Sequence, residues 1–284
     1  MKHLSFFLFS IILISNTPKA QNTESRPFVL GVIDEIQSVQ LAEKRILNIY
    51  LPDGYQQNDS IKYPVIYLLD GSADEDFIHV AGLVQYFNFP WINTVPKSIV
   101  VGIANVDRKR DFSFPTLIKE DKIKYPTTGS SGKFIAFIEK EVQPFIEKKY
   151  KANDSRTIIG QSLGGLLATE ILFTKPALFD TYIIISPSLW WNDGSLLSIQ
   201  PKILQPGFNQ KVSIYIGVGK EGPALNTGKH IMEEDAKKLA DKIKQANNKN
   251  LKVFFDYLPK EDHATVSHPA VFNAFRLLYP ANKK

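Results

Sequence analysis

Cysteine is missing from all 284 residues, and histidine occurs only five times. The first absence excludes disulfides and a cysteine-linked lipid anchor. The second limits any imidazole chemistry to His3, His79, His230, His263 and His268. No low-complexity tract, internal repeat or Pro/Gly/Ser-rich linker divides the chain, so its length reads as one domain. A strong excess of one charge is lacking too: 34 basic against 29 acidic residues give a formal +5. Removing Lys2 and Lys19 with an N-terminal leader leaves +3, too diffuse a charge to argue for nucleic acid.

Long apolar runs are also absent. The longest, Leu4 to Ile14, is too short to span a bilayer as a helix. Behind Lys2 and His3, and before the polar stretch ending Lys19-Ala20-Gln21, it matches the apolar region of a secretory signal peptide. Residues 1–20 are therefore expected to be a signal peptide and residues 21–284 one domain of a periplasmic or secreted protein, with no membrane span in the mature chain. Pro18 sits poorly three residues before that cut, so cleavage could fall nearby. Oligomeric state leaves no signal.

What is present is an alternation of strand and helix patterns. Val29 to Leu51 alternates as two strands of an antiparallel lead-in. Val65 to Leu69, Ser98 to Ala104, Thr157 to Ile159, Tyr182 to Ile185 and Val212 to Val218 are apolar runs typical of parallel strands buried on both faces. Helices are expected over Asp74 to Tyr86, through Phe134 to Phe145 with a kink or a break at Pro144, from Leu163 to about Thr174, and over Met232 to Ile243. Leu251 to Tyr257 closes the series as the final strand. The fold class is α/β: a mostly parallel central sheet with helices on both faces. Asn105 to Ser130 reads as one long polar loop, and loops of such length in compact domains are usually functional.

Gly160-Gln161-Ser162-Leu163-Gly164 lies between the strand Thr157 to Ile159 and the helix after it. This GxSxG pattern is that of a nucleophile elbow, where a sharp strand-to-helix turn lifts a serine clear of the sheet and glycines remove clashing Cβ atoms. By chance it would occur roughly 0.1 times in a chain of this length, so context decides. Ligands in such sheets bind at the C-terminal strand ends. Gly71, Ser162, Trp190, Glu221 and His263 all follow strands, and Ser162, Glu221, His263 run in the order that an α/β-hydrolase triad requires. Ser162 is read as nucleophile, His263 as general base and Glu221 as the acid that orients it. Leu163 and either Gly71 or Ser72 are read as main-chain oxyanion donors.

Alternatives stand beside these roles. His268, before Pro269, rivals His263 as base; Asp193, Asp235 and Asp262 rival Glu221 as acid. Arg108 and Arg110 either bind substrate or clamp Asp111, and Trp190 and Trp191 either wall a pocket or pack the core. None of this chemistry calls for a metal or a cofactor.

The segments YPVIYLLDG, VDRKRDFSFPT, GQSLGGLLA, SPSLWW and DHATVSHPAVFNAFRLL resemble the esterase D and ferric enterobactin esterase-like branch of the α/β-hydrolases, from about Glu43 to Tyr279. The resemblance implies that Ser162 and His263 are nucleophile and base. The acid carries over more weakly, because that branch varies in its presence and position. Expected is an exported serine hydrolase acting on carboxylic esters through an acyl-enzyme, its substrate the lactone of a siderophore. There Arg108, Arg110, Trp190 and Trp191 would contact anionic aromatic groups. A feruloyl or acetyl carbohydrate esterase acting on oligosaccharides, an acyltransferase, and a non-catalytic binding protein on the same fold are the alternatives.

Overall fold

The computed structural model describes residues 24–58, 60–224 and 229–280. The expected signal peptide lies outside the described residues. Residues 24–30 hold no helix or strand and belong to a separate N-terminal unit. From Gly31 onward the chain builds one eight-stranded sheet with nine α-helices among the described residues.

In chain order the strands are β1 (Val32–Ser38), β2 (Glu43–Tyr50), β3 (Tyr63–Leu68), β4 (Ile99–Ile103), β5 (Ala152–Gln161), β6 (Thr181–Ile185), β7 (Val212–Gly219) and β8 (Leu251–Leu258). Their spatial order is β1-β2-β4-β3-β5-β6-β7-β8. β2 pairs antiparallel with β1 and β4, and every other pairing is parallel. This is the α/β-hydrolase fold that the alternating pattern predicted, including the antiparallel lead-in.

The helices are α1 (Phe77–Asn88), α2 (Arg108–Phe112), α3 (Lys119–Lys124), α4 (Ser131–Phe137), α5 (Gln143–Lys149), α6 (Leu163–Thr174), α7 (Trp191–Ser198), α8 (Met232–Gln245) and α9 (Ser267–Leu278). Period-2 alternation sorts the strand side chains into two layers. Tyr67, Val101, Ile158, Ile184 and Ile216 join a core with residues of α4, α5, α6 and α8. Ile66, Val100, Ile159 and Ile183, equally buried, face the opposite way, the side that α1 and α9 cover. Each such side chain contributes about 1.5–3 kcal/mol when fully buried, so the central strands are held from both sides.

Two differences from the sequence reading have physical causes. Of the kink or break expected at Pro144, the break does not occur. Without an N–H, and with its ring against the carbonyl four residues back, Pro144 is accommodated by a π-helical turn, Ile138–Val142, that joins α4 to α5. The segment from Asn105 to Ser130 is not one open loop. Asp107 caps α2 by accepting the N–H of Arg110 at 3.0 Å, and α3 follows. Helices of five and six residues are too short to show a 3.6-residue period.

Candidate active site

The site forms where β3, β5, β6, β7 and β8 end. Ser162 sits between β5 and α6 with φ 59° and ψ −119°, a backbone that L side chains rarely adopt. The turn can be this sharp because its glycines are bare: a Cβ on Gly160 would stand 2.4 Å from the Gly164 carbonyl oxygen, and one on Gly165 would stand 2.8 Å from that of Ile185. With α6 drawn in this close, the Ser162 N–H donates to the Ile185 carbonyl at 3.0 Å. Leu163 is the first residue of α6, so its N–H has no acceptor within the helix and lies at the positive end of the helix dipole.

His263 stands in the segment between β8 and α9. Its Nδ1 lies 2.5 Å from Glu221 Oε2, and its main-chain oxygen accepts from Gln161 Nε2 at 2.6 Å. The residue before Ser162 thus anchors the backbone of the imidazole. The Glu221 side chain is 3% exposed and that of His263 46%. The other Glu221 oxygen accepts from the Ser186 hydroxyl and, at 3.2 Å, from the Gly219 N–H. Burial pushes the Glu221 carboxyl upward, yet its hydrogen bonds to His263 and Ser186 outweigh this and hold it below the usual carboxylate range. An ionised carboxylate fixed on Nδ1 leaves Nε2 as the nitrogen that can accept a proton.

The other candidates of the sequence fall elsewhere. Asp262 is a loop cap that accepts the N–H groups of Ala264 and Thr265. Asp235 and Asp193 flank His230, with Asp235 at 2.6 Å from its Nδ1 and Asp193 at 3.6 Å from its Nε2. His268 packs edge-to-face on His79. Of the four carboxylates left open, Glu221 is the one beside His263.

Two expected roles need correction. The Gly71 N–H donates to the Ile103 carbonyl at 3.1 Å, extending the β3–β4 ladder, so it is not free to meet an oxyanion. That of Ser72 donates to the Glu75 carboxylate at 3.3 Å and becomes available only if Glu75 moves. Arg110 does not serve the cleft: it is committed to Glu43 at 2.5 Å and Asp111 at 2.8 Å. There it joins fully buried Arg45, 2.6 Å from Asp111. Arg108 also forms an ion pair, to Asp70 at 2.5 Å, but still lines the cleft and reaches the Gln161 carbonyl at 3.2 Å. Trp191 is buried and donates its indole N–H to the Phe114 carbonyl at 2.8 Å, packing the floor beneath half-buried Trp190.

The cleft has two lobes that meet at Ser162, Ser188 and Trp190. One, of about 160 Å³, is lined by Arg108, Lys109, Tyr125, Thr128, Leu163 and Trp191. The other, of about 310 Å³, is lined by Glu221, Pro223, Ala224, Met232 and His263. Sequence reasoning missed Ser188, whose Oγ lies 3.4 Å from that of Ser162, and missed Tyr125, Lys109 and Met232. None of these carries a motif, although Ser188 lies in the SPSLWW segment that had been singled out.

Residues 38–267 match the model of the family described as "Putative esterase". The chain belongs to this esterase family. As a member it is a carboxylic ester hydrolase. It is 30% identical over 254 residues to the ferri-bacillibactin esterase BesA of Bacillus subtilis, covering 84% of this chain and 86% of that one. Among solved structures it resembles an IroE-like serine hydrolase from Shewanella oneidensis, with TM-score 0.77 at 31% identity over 88% of this chain and 80% of the other. It also resembles the BES protein from Bacillus cereus, with TM-score 0.75 at 27% identity over 91% and 99%. Among the described residues of this esterase, no helix is long and apolar enough to cross a membrane.

Proposed function

We propose that the esterase is an exported serine hydrolase that opens ester bonds of a catecholate siderophore through a Ser162–His263–Glu221 triad. The observation that carries the chemistry is the buried Glu221 carboxylate 2.5 Å from His263 Nδ1, in the same cleft as Ser162. Similarity to a ferri-bacillibactin esterase over most of both chains supports the substrate class. The leader-like sequence of residues 1–20 supports export.

Ser162 Oγ attacks the ester carbonyl carbon while His263 Nε2 takes its proton, and Glu221 balances the imidazolium that results. The carbonyl oxygen, now negative, is met by the Leu163 N–H at the positive end of α6. The carbon–oxygen bond to the alcohol then breaks, and the alkoxide takes the proton from His263. Water repeats the sequence on the acyl-enzyme: His263 accepts its proton, the hydroxide adds to the acyl carbon, and Ser162 leaves with the proton returned.

The test compares hydrolysis of a catecholate trilactone, iron-loaded and iron-free, with that of feruloylated and acetylated oligosaccharides. Trilactone cleavage that disappears in Ser162→Ala, together with fluorophosphonate labelling of Ser162, is expected. Activity confined to the sugar esters would overturn the siderophore reading. Persistent turnover in Ser162→Ala would overturn the nucleophile. The N-terminal sequence of the protein from a periplasmic or culture fraction tests export: processing near Gln21 is expected, and an intact Met1 would contradict it.

A further inference from the structure

We infer that the cleft is directional: the acyl half of the substrate occupies the lobe of Lys109, Tyr125 and Arg108, which selects an anionic aromatic acyl group, and the leaving alcohol lies against Pro223, Ala224 and Met232. The inference deepens the proposed function and rests on Ser162 and His263 acting as nucleophile and base.

The direction follows from where the proton must go. When the tetrahedral intermediate collapses, the bond from the former carbonyl carbon to the alcohol oxygen breaks, and that oxygen must receive the proton held by His263. The leaving oxygen therefore departs into the lobe that His263 lines, with Met232, Pro223 and Ala224 as its apolar wall. The acyl carbon stays bonded to Ser162. Its substituent is left with the other lobe, which Leu163 borders and His263 does not.

The two lobes differ in charge as well as position. Lys109 Nζ lies 5.2 Å and Lys124 Nζ 5.3 Å from the centroid of the Tyr125 ring. Neither ammonium has a carboxylate partner among the described residues, whereas Arg108 is already balanced by Asp70. An ammonium resting on a tyrosine face in partly exposed surroundings gains only about 0.5–1 kcal/mol, so an incoming anion can take it over. Tyr125 and Lys109 line the acyl lobe, the Tyr125 ring carries Lys124 as a second unpaired cation, and Trp190 and Trp191 give that lobe aromatic walls. The His263 lobe has no lysine or arginine among its described lining residues.

The experiment uses three esters of nearly equal size: phenyl benzoate, phenyl 4-sulfobenzoate and 4-sulfophenyl benzoate. They carry no anion, an anion on the acyl side, and an anion on the alcohol side. The quantity read is the ratio of kcat/KM for each charged ester to that of the neutral one on the same protein sample, which cancels any loss of folded enzyme. Wild type is expected to favour the 4-sulfobenzoyl ester, and Lys109→Ala/Lys124→Ala to lower that ratio about five- to tenfold, as for two partly exposed ion pairs. The ratio for the 4-sulfophenyl ester, corrected for its more acidic leaving group by alkaline hydrolysis rates, is expected to stay constant between the two proteins. As a second readout, 4-sulfobenzoate should compete with nitrophenyl acetate more weakly in the double variant than in wild type. The assignment is overturned if the lysine dependence follows the alcohol-side anion, or if removing both lysines leaves both ratios and the inhibition unchanged. Failure of the siderophore reading would show separately, as no cleavage of the trilactone alongside normal ratios on these three esters.

Discussion

Replacing Glu221 by glutamine keeps the shape of the side chain and removes its charge. In the folded enzyme that carboxylate is buried and touches His263 Nδ1 at 2.5 Å. In the proposed mechanism Ser162 gives its proton to the imidazole, which becomes a cation beside this anion. Two unit charges about 4 Å apart attract by about 4 kcal/mol at the effective dielectric of a protein surface. His263 is nearly half exposed, so solvent reduces the useful part to about 2–3 kcal/mol, or about 30- to 150-fold in kcat. A glutamine amide can also turn its NH2 toward Nδ1, which favours the tautomer with the proton on Nε2 and blocks the base. The assay is release of nitrophenol from nitrophenyl acetate across pH 5 to 9, with kcat and KM separated. Because the folded carboxyl lies below its ordinary value of 4.5, its help to the imidazole is present above that value and is lost only as pH falls through the lower folded one. The wild-type profile above pH 5 therefore carries no Glu221 limb, and Glu221→Gln should lower kcat throughout that range. If Glu221→Gln stays within threefold of wild type while Asp262→Asn or Asp235→Asn costs a hundredfold, the acid has been misplaced.

Further outcomes are expected elsewhere. Ser186→Ala removes the hydroxyl that holds the second Glu221 oxygen and should lower kcat about three- to tenfold with KM little changed; an equal loss in kcat/KM carried wholly by KM would contradict a positioning role. Gly160→Ala places a Cβ 2.4 Å from main-chain oxygen of the elbow, so a stability loss of about 1–3 kcal/mol and a kcat loss beyond tenfold are expected, read by thermal melting and by turnover. Glu170, on α6, is pushed up to about 7 from 4.5 by burial, against the pull of its hydrogen bond from Ser131. Since its folded pKa is raised, stability is intact below about pH 4.5 and falls as pH rises toward and through 7, by about 3 kcal/mol in all. Glu170→Gln should remove that slope in urea titrations at pH 5 and pH 8, and an unchanged slope would refute the assignment.

The sheet was legible because its strands are pure apolar runs; β3, β4 and β6 contain scarcely any other residue type, and such runs have few places to go but a two-sided core. The helices α6 and α8 were legible for their length and their period. The elbow was legible because its glycines and serine have one geometric use. By contrast, α7 left no pattern: its Asn192, Asp193 and Gly194 take left-handed backbone, with φ 52°, 51° and 70°, so no helical spacing could mark it. The oxyanion side was read one bond too simply. Sequence order puts Gly71 past a strand, but only the pairing of its N–H with Ile103 shows that the ladder runs on to it. Arg110 and Arg108 are two residues apart on one short helix, and nothing in their spacing says that one meets Glu43 and Asp111 while the other borders the cleft. The lobe of Lys109 and Tyr125 joins α2 to the residue that ends α3, two helices too short for a period to be read.

The placement of strain shows why the rim is arranged as it is. The adjacent strands β3, β5 and β6 are each followed within two residues by a non-glycine residue with positive φ: Asp70 at 53°, Ser162 at 59° and Ser186 at 42°. Left-handed backbone costs an L residue about 1–2 kcal/mol, and glycine would take it freely. Glycine has no side chain, however, and at each of these three turns a side chain either binds a neighbour, as for Asp70 and Ser186, or lines the cleft, as for Ser162. The Asp70 carboxylate binds Arg108, which in turn holds the carbonyl of Gln161 next to Ser162. The Ser186 hydroxyl binds Glu221. The main chain links the three turns further, through Ser162 N–H to the Ile185 carbonyl and Ser188 N–H to that of Ser162. A strand packed on both faces cannot relax its end without disturbing the core, so the strain persists where it projects a functional group. An esterase gains from this rigidity, because donors already fixed at the site of developing charge need no reorganisation when the reaction occurs.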